Sequence, residues 1–201
     1  MEDIDVQNRS LLVPSYKIRR LKQEWLKIYM PVVQLGKLEI RFNHKSSHVE
    51  VRTCSMTEDL GFLERSITYI QAVVDGFKPE DAIAIMKFKD VCTDSFQVQD
   101  VRKLKNGHLS RAIGRIIGRD GRIKESIENF SRCKFILQDE RVFLLGSEEN
   151  IKIARDAIGR LIQGAEPTSI FNRLRIISAK LKDKYGSIQT IYSDLRKSYS
   201  E

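Results

Sequence analysis

Four residues constrain this 201-residue chain more than any others: Gly118-Arg119-Asp120-Gly121, preceded by the apolar Ile117. Apolar residues at 113, 116 and 117 lead into them, and Ile123, Ile127 and Phe130 follow at helical spacing. Two short helices therefore meet at a tight Gly-x-x-Gly turn. Neither glycine carries a Cβ, so the chain can reverse sharply and another molecule can approach bare backbone. The second helix begins with unpaired N–H groups, a setting that favours phosphate. Arg115, Arg119, Arg122 and Lys124 surround the same place with positive charge. Asp120 is out of keeping with them, and capping the following helix would give its carboxylate a role.

Other glycine-rich phosphate loops do not fit. A dinucleotide fingerprint needs G-x-G-x-x-G after a strand, yet Gly114 lies four residues before Gly118 and the intervening residues read as helix. A P-loop ends in Gly-Lys-Ser/Thr, whereas Arg119-Asp120 follows Gly118. Alone, the tetrapeptide is equally consistent with a structural turn between core helices. The residues around it decide.

Upstream, residues 95–101 alternate and read as a strand. Downstream, Cys133-Lys-Phe-Ile-Leu137 and Arg141-Val-Phe-Leu-Leu-Gly146 read as antiparallel strands joined by a polar turn. Ser147 is placed to cap a helix whose apolar face is Ile151, Ala154, Ile158, Leu161 and Ile162, and which Gly164 and Pro167 stop. Strand, helix, Gly-x-x-Gly, helix, strand, strand, helix is the order of a type I KH domain, a module that clamps about four nucleotides of single-stranded nucleic acid.

The first half repeats the order without the glycines. Leu11-Leu-Val-Pro14 reads as a short strand, and residues 19–29 as a helix ending near Pro31. Residues 37–43 and 48–53 form a hairpin, and a long helix over 58–77 turns Leu60, Leu63, Ile67, Ile70 and Val74 inward. A second helix runs from Pro79 to residue 88. Where the second copy has its glycine pair, the first has Tyr29-Met-Pro-Val-Val-Gln-Leu-Gly36. The fold class is α+β, with two tandem type I KH-like domains. The expected layout is a disordered acidic N-terminus (1–8), a degenerate KH-like domain (9–90), a KH domain with the Gly-x-x-Gly loop (91–166) and a helical basic tail (167–201) broken at Gly186. The degenerate copy serves a protein partner, a non-clamping rRNA contact, or simple packing support. The tail either packs on the KH pair or lies along RNA.

Charge follows this layout. The net charge is +8, but residues 101–135 hold ten Lys/Arg against three Asp/Glu and residues 9–45 hold nine against two. Residues 46–100 are acidic, with five against ten. Basic charge gathered in two blocks points to an anionic partner more than to general solubility. Trp25 is expected to anchor a core. Cys54, Cys92 and Cys133 are widely spaced, lack a C-x-x-C and read as reduced, buried side chains. His44 and His48 sit in a hairpin turn without cysteine or carboxylate partners, so no metal and no cofactor are expected. No run approaches transmembrane length, and the N-terminus lacks a signal-peptide pattern.

The run from His108 to Gly121, with Ser126-Ile-Glu-Asn129, Leu145-Gly-Ser147, Asn150-Ile-Lys-Ile-Ala-Arg155 and Leu161-Ile-Gln-Gly164, closely resembles the eukaryotic Partner of NOB One family. Trp25-Leu-Lys-Ile-Tyr-Met-Pro31 and Val49-Glu-Val-Arg-Thr53 are similar to its first KH-like domain. The likeness spans roughly residues 9–185. It implies a small ribosomal subunit assembly factor in the nucleolus and nucleus, able to follow the pre-ribosome to the cytoplasm. Such a factor binds the 3′ region of pre-18S rRNA, and its partners are the NOB endonuclease, the rRNA dimethyltransferase and pre-ribosomal small-subunit proteins. Members usually carry lysines in the loop, where this chain has Arg119 and Arg122. Arginine keeps the charge and adds a planar fork for phosphate.

On this reading the site is Arg111, Arg115, Ile117, Gly118, Arg119, Asp120, Gly121, Arg122 and Lys124. The glycines admit backbone, the cations pair with phosphates, and Arg111 and Arg115 extend the track along the preceding helix. Ile113, Ile116 and Ile117 offer an apolar floor for bases, although core packing claims at least two of them. A competing reading makes both KH folds protein-recruiting scaffolds with only diffuse RNA affinity. Catalysis is not expected, because no Ser/His/Asp set, Cys/His pair or metal-ligand spacing occurs.

Overall fold

The computed structural model describes residues 7–57 and 59–185. Residues 1–6 of the acidic segment, and the break expected at Gly186 with the tail beyond it, lie outside them. Two sheets of three strands are present among the described residues. The first combines β1 (Asn8–Leu12), β2 (Glu39–Asn43) and β3 (His48–Arg52) in the order β1-β3-β2, all antiparallel. Val49 and Val51 stand two residues apart on β3, so both fall on one face, and both are fully buried. Leu11 and Phe42 flank Val49 in register. At the β2–β3 turn the Asn43 side chain accepts the Lys45 N–H at 3.1 Å, an Asx turn that closes the hairpin.

Between β1 and β2 run α1 (Ser15–Gln23) and α2 (Trp25–Gly36). The expected helix end at Pro31 is corrected here, because Pro31 lies buried inside α2 and the break falls instead at Glu24. Proline cannot donate to the carbonyl of Lys27 four residues back. The Tyr69 hydroxyl supplies the missing donor at 3.3 Å. The break in the first copy is thus a single non-glycine residue. Trp25 packs against the core half-buried, its ring 6.3 Å from that of Phe42.

The long helix α3 (Gly61–Asp75) starts later than expected and leaves Leu60 52% exposed. Asp59 accepts the Gly61 N–H at 2.8 Å, and Gly76 at φ +116° ends the helix. Leu63, Ile70 and Val74 are buried as the spacing requires and Ile67 is partly so, while Tyr69, which the spacing does not name, is fully buried with them. The expected helix from Pro79 is two single turns, α4 (Pro79–Ala82) and α5 (Ala84–Lys87).

In the second half β4 (Val91–Gln97) begins four residues before the expected strand. Residues 98–101, expected to extend it, form the turn α6 (Val98–Val101). Asp100 ends the strand: its carboxylate accepts the Gln97 N–H at 2.9 Å in a capping box. Then come α7 (Asn106–Ile117), a 3₁₀ turn at Arg119–Gly121 and α8 (Arg122–Ser131). The hairpin β5 (Lys134–Gln138) and β6 (Arg141–Ser147) follows, with Phe135 opposite Leu144. The sheet order is β4-β6-β5. Helices α9 (Glu148–Gln163) and α10 (Pro167–Tyr185) come last among the described residues. All five apolar positions expected on α9 are buried.

Among the described residues, those up to 95 with 134–148 form one compact unit, and 96–133 with 149–185 the other. The first unit includes β5 and β6 because Leu145 is part of its core and Ile136 and Phe143 pack against it. In the second unit α10 packs along α8, burying Ile170 and Leu174. Only Cys133 is buried; Cys54 and Cys92 are partly exposed, contrary to the sequence reading, and all three are free thiols.

Candidate nucleic-acid interface

Helix α7 places Ala112 and Ile116 inward, with Ile116 fully buried and Ile113 partly so. Ile117 is 38% exposed at the edge of the loop. Of the isoleucines that flank the turn, Ile116 therefore belongs to the core and Ile117 is open to a ligand. Burying Ile116 and Ile127 (both 0% exposed) fixes α7 and α8 on either side of the loop. Each such side chain contributes about 1.5–3 kcal/mol.

The two glycines do different work. Gly118 has φ +74° and ψ 176°, a region reached essentially by glycine alone. A Cβ there would stand 2.5 Å from Cγ1 of Ile123, so Gly118 lets the Ile123 side chain fold under the turn. Gly121 also has positive φ (+74°), but a Cβ there would meet nothing within 4 Å. The exposed backbone is thus at Gly121. As N-cap of α8 it offers no side chain to the first-turn amides. Asp120 does not cap either. It sits in the left-handed region at φ +54° and ψ 24°, one residue before the N-cap. Its carboxylate has no hydrogen bond among the described residues; the Arg122 N–H turns back to the Arg119 carbonyl, and no side chain occupies the N-terminal end of α8.

Arg111, Arg115, Arg119 and Arg122 are all exposed, and among the described residues none has a carboxylate partner. Lys124 pairs with Glu128 one helical turn on, at 3.9 Å. Arg119, Arg122 and Lys124 follow one another around the α8 N-terminus. Arg111 and Arg115 face another direction: they line a groove of about 530 Å³ with residues 102–105 and the end of α9. Arg102, Lys103 and Lys105, which the Gly-x-x-Gly motif does not single out, share that groove. Their signal in the sequence is the basic block over 101–135, which includes them.

A helix pair joined by this Gly-x-x-Gly turn, in a chain with this sheet order, defines the protein's class as type I KH. A family model described as the second KH domain of PNO1, of the eukaryotic type (KH-domain type I), matches residues 95–179. The RNA-binding protein PNO1 of Oryzias latipes is 40% identical over 177 residues, covering 88% of this chain and 73% of that protein. The pre-rRNA-processing protein PNO1 of Coccidioides immitis is 41% identical over 180 residues, covering 90% and 71%. The chain belongs to the PNO1 family.

Solved archaeal structures share the fold. A protein from Aeropyrum pernix superimposes with a TM-score of 0.77 at 20% identity, covering 98% of this chain and 100% of that one. Dim2p of Pyrococcus horikoshii, solved in a complex with a/eIF2alpha and rRNA, gives 0.73 at 24% identity, covering 89% and 98%.

Proposed function

We infer that this protein is a non-catalytic RNA-binding factor in pre-rRNA processing, gripping the 3′ region of pre-18S rRNA at the Gly118–Gly121 turn. The observation that carries this reading is the open N-terminus of α8. No side chain caps its first turn, Gly121 before it has free space where a Cβ would stand, and the Arg119 and Arg122 guanidinium groups have no carboxylate partners among the described residues. A phosphate there would accept from backbone and guanidinium together, and Ile117 would give the adjoining base an apolar surface. Gly118, Asp120 and Lys124 shape and charge the same turn.

Bound in this way, the factor holds the rRNA 3′ end and positions or shields the final cleavage site until the NOB endonuclease acts. The rRNA dimethyltransferase and small-subunit proteins are further partners, within the nucleolus and nucleus and then on the maturing particle. None of the described helices is long and apolar enough to cross a membrane. Crosslinking in cells, with the attached nucleotides mapped, tests the assignment. Crosslinks from the Arg119 region should fall in the 3′ part of pre-18S rRNA, and a different RNA class would overturn it.

A scaffold role for the first copy has one observation in its favour. Leu26 (71% exposed) and Met30 (40% exposed) lie one turn apart on the outer face of α2, an apolar pair suited to a protein partner.

A further inference from the structure

The groove lined by Arg111 and Arg115 is not part of the turn, and its chemistry is its own. Arg102, Lys103, Lys105, His108, Arg111 and Arg115 supply its polar walls, and no carboxylate lines it. All six are exposed. Lys103, Lys105, Arg111 and Arg115 have no carboxylate partner among the described residues. Arg102 alone is tied down, donating to the Gln163 carbonyl at 3.1 Å and bracing the groove against the end of α9.

A glycine lets the Arg115 guanidinium lie close against the end of α9. Gly164, at φ +107°, ends α9, and a Cβ there would come 3.2 Å from the Arg115 guanidinium. Four to five like charges gathered without counter-ions repel one another, a cost that an anionic ligand removes. Forked guanidinium groups and mobile ammonium groups in one cleft match phosphate oxygens.

Location identifies the polymer. Arg115 lies one turn before Gly118, and Lys105 stands at the far end of α7, roughly 20 Å away at ~1.5 Å per residue. The groove thus sets a row of cationic side chains along α7 that ends one helical turn from Gly118. We propose that it is a second RNA-backbone site, which takes the nucleotides flanking those held at the turn and lengthens the footprint beyond a single KH clamp. The proposal rests on the RNA-binding reading above and deepens it.

Fluorescence anisotropy on the full chain tests it with two single-stranded RNAs, one of about four nucleotides, the span of a KH clamp, and one of about twelve. Lys103→Glu/Lys105→Glu should leave the Kd for the short RNA unchanged and raise that for the long RNA at least ~10-fold. The slope of log K against log salt for the long RNA should become shallower by about 1.4, at ~0.7 for each phosphate left without its lysine. Arg119→Asp, the control on the turn, should weaken both RNAs. If the lysine pair variant binds both as the parent does, the groove takes no RNA backbone and the proposal falls, leaving an acidic protein segment as its occupant. An equal loss on both lengths also overturns it, because the effect is then one of net charge. If Arg119→Asp changes neither while the lysine variant weakens the long RNA, the reading of the turn fails and the groove stands.

Discussion

The side chain of Ile123 fills the space that a Cβ on Gly118 would need: the added atom would lie 2.5 Å from its Cγ1. The first glycine of the turn is therefore a packing requirement, and the second is the point of open backbone. Substitutions at the two should separate folding from binding.

Gly118→Ala combines a backbone strain of about 1–3 kcal/mol with an overpacking cost of similar size. A loss of about 2 kcal/mol or more in urea unfolding is expected. A variant as stable as the parent would show that Ile123 moves aside freely. Gly118→Val, the obvious probe of a scaffold role, would confound folding with binding for the same reason.

Gly121→Asp should act in the opposite sense. Aspartate tolerates left-handed backbone, its side chain has open space, and its charge suits a helix N-terminus. Stability should stay within about 1 kcal/mol of the parent, while RNA affinity falls at least ~10-fold through repulsion of the phosphate. Circular dichroism and filter binding on one preparation check both halves. Retained affinity would move the phosphate away from α8.

Arg119→Asp should weaken RNA binding by about 1–3 kcal/mol and flatten its salt dependence. Titrations at several salt concentrations give both quantities. An unchanged slope would mean that Arg119 pairs with no phosphate.

Ile116 and Ile117 are neighbours with different surroundings, fully buried and 38% exposed. Ile116→Ala should cost about 2–5 kcal/mol of stability. Ile117→Ala should cost less than ~1 kcal/mol but weaken RNA binding. Equal destabilisation by the two would contradict their placement.

Tyr69→Phe removes the donor that satisfies the Lys27 carbonyl and should cost about 1 kcal/mol. Burial holds the Tyr69 phenol well above its ordinary pKa, so the bond persists through the alkaline range in which tyrosine usually ionises. Pro31→Ala restores the main-chain N–H, so the loss should be smaller in that background. A double-mutant cycle with no coupling would dismiss the compensation.

What is legible in the sequence is what depends on short-range pattern. The glycine spacing, the alternation of β2 and β3 and the apolar face of α9 each identify their element without tertiary information. Pro31 misleads because the proline rule is local, whereas its exception depends on Tyr69, far along the chain on α3. Residues 98–101 read as strand because alternation runs on through Val98, and the pattern does not register the Asp100 carboxylate that turns the chain. Asp120 reads as a cap because the left-handed path of the turn is not written in residue types. Arg102, Lys103 and Lys105 lie in a basic block whose direction only the packing of α7 beside the end of α9 reveals.

The β5–β6 hairpin completes the core of the first compact unit, with Leu145 inside it and Ile136 and Phe143 against it. The two KH-like sequences are therefore not separable at the gene level. A truncated polypeptide stopping near residue 95 would leave a raw oily surface where those three side chains belong, and would clump during expression. Anyone dissecting the tandem repeat must work by point substitution in the intact chain.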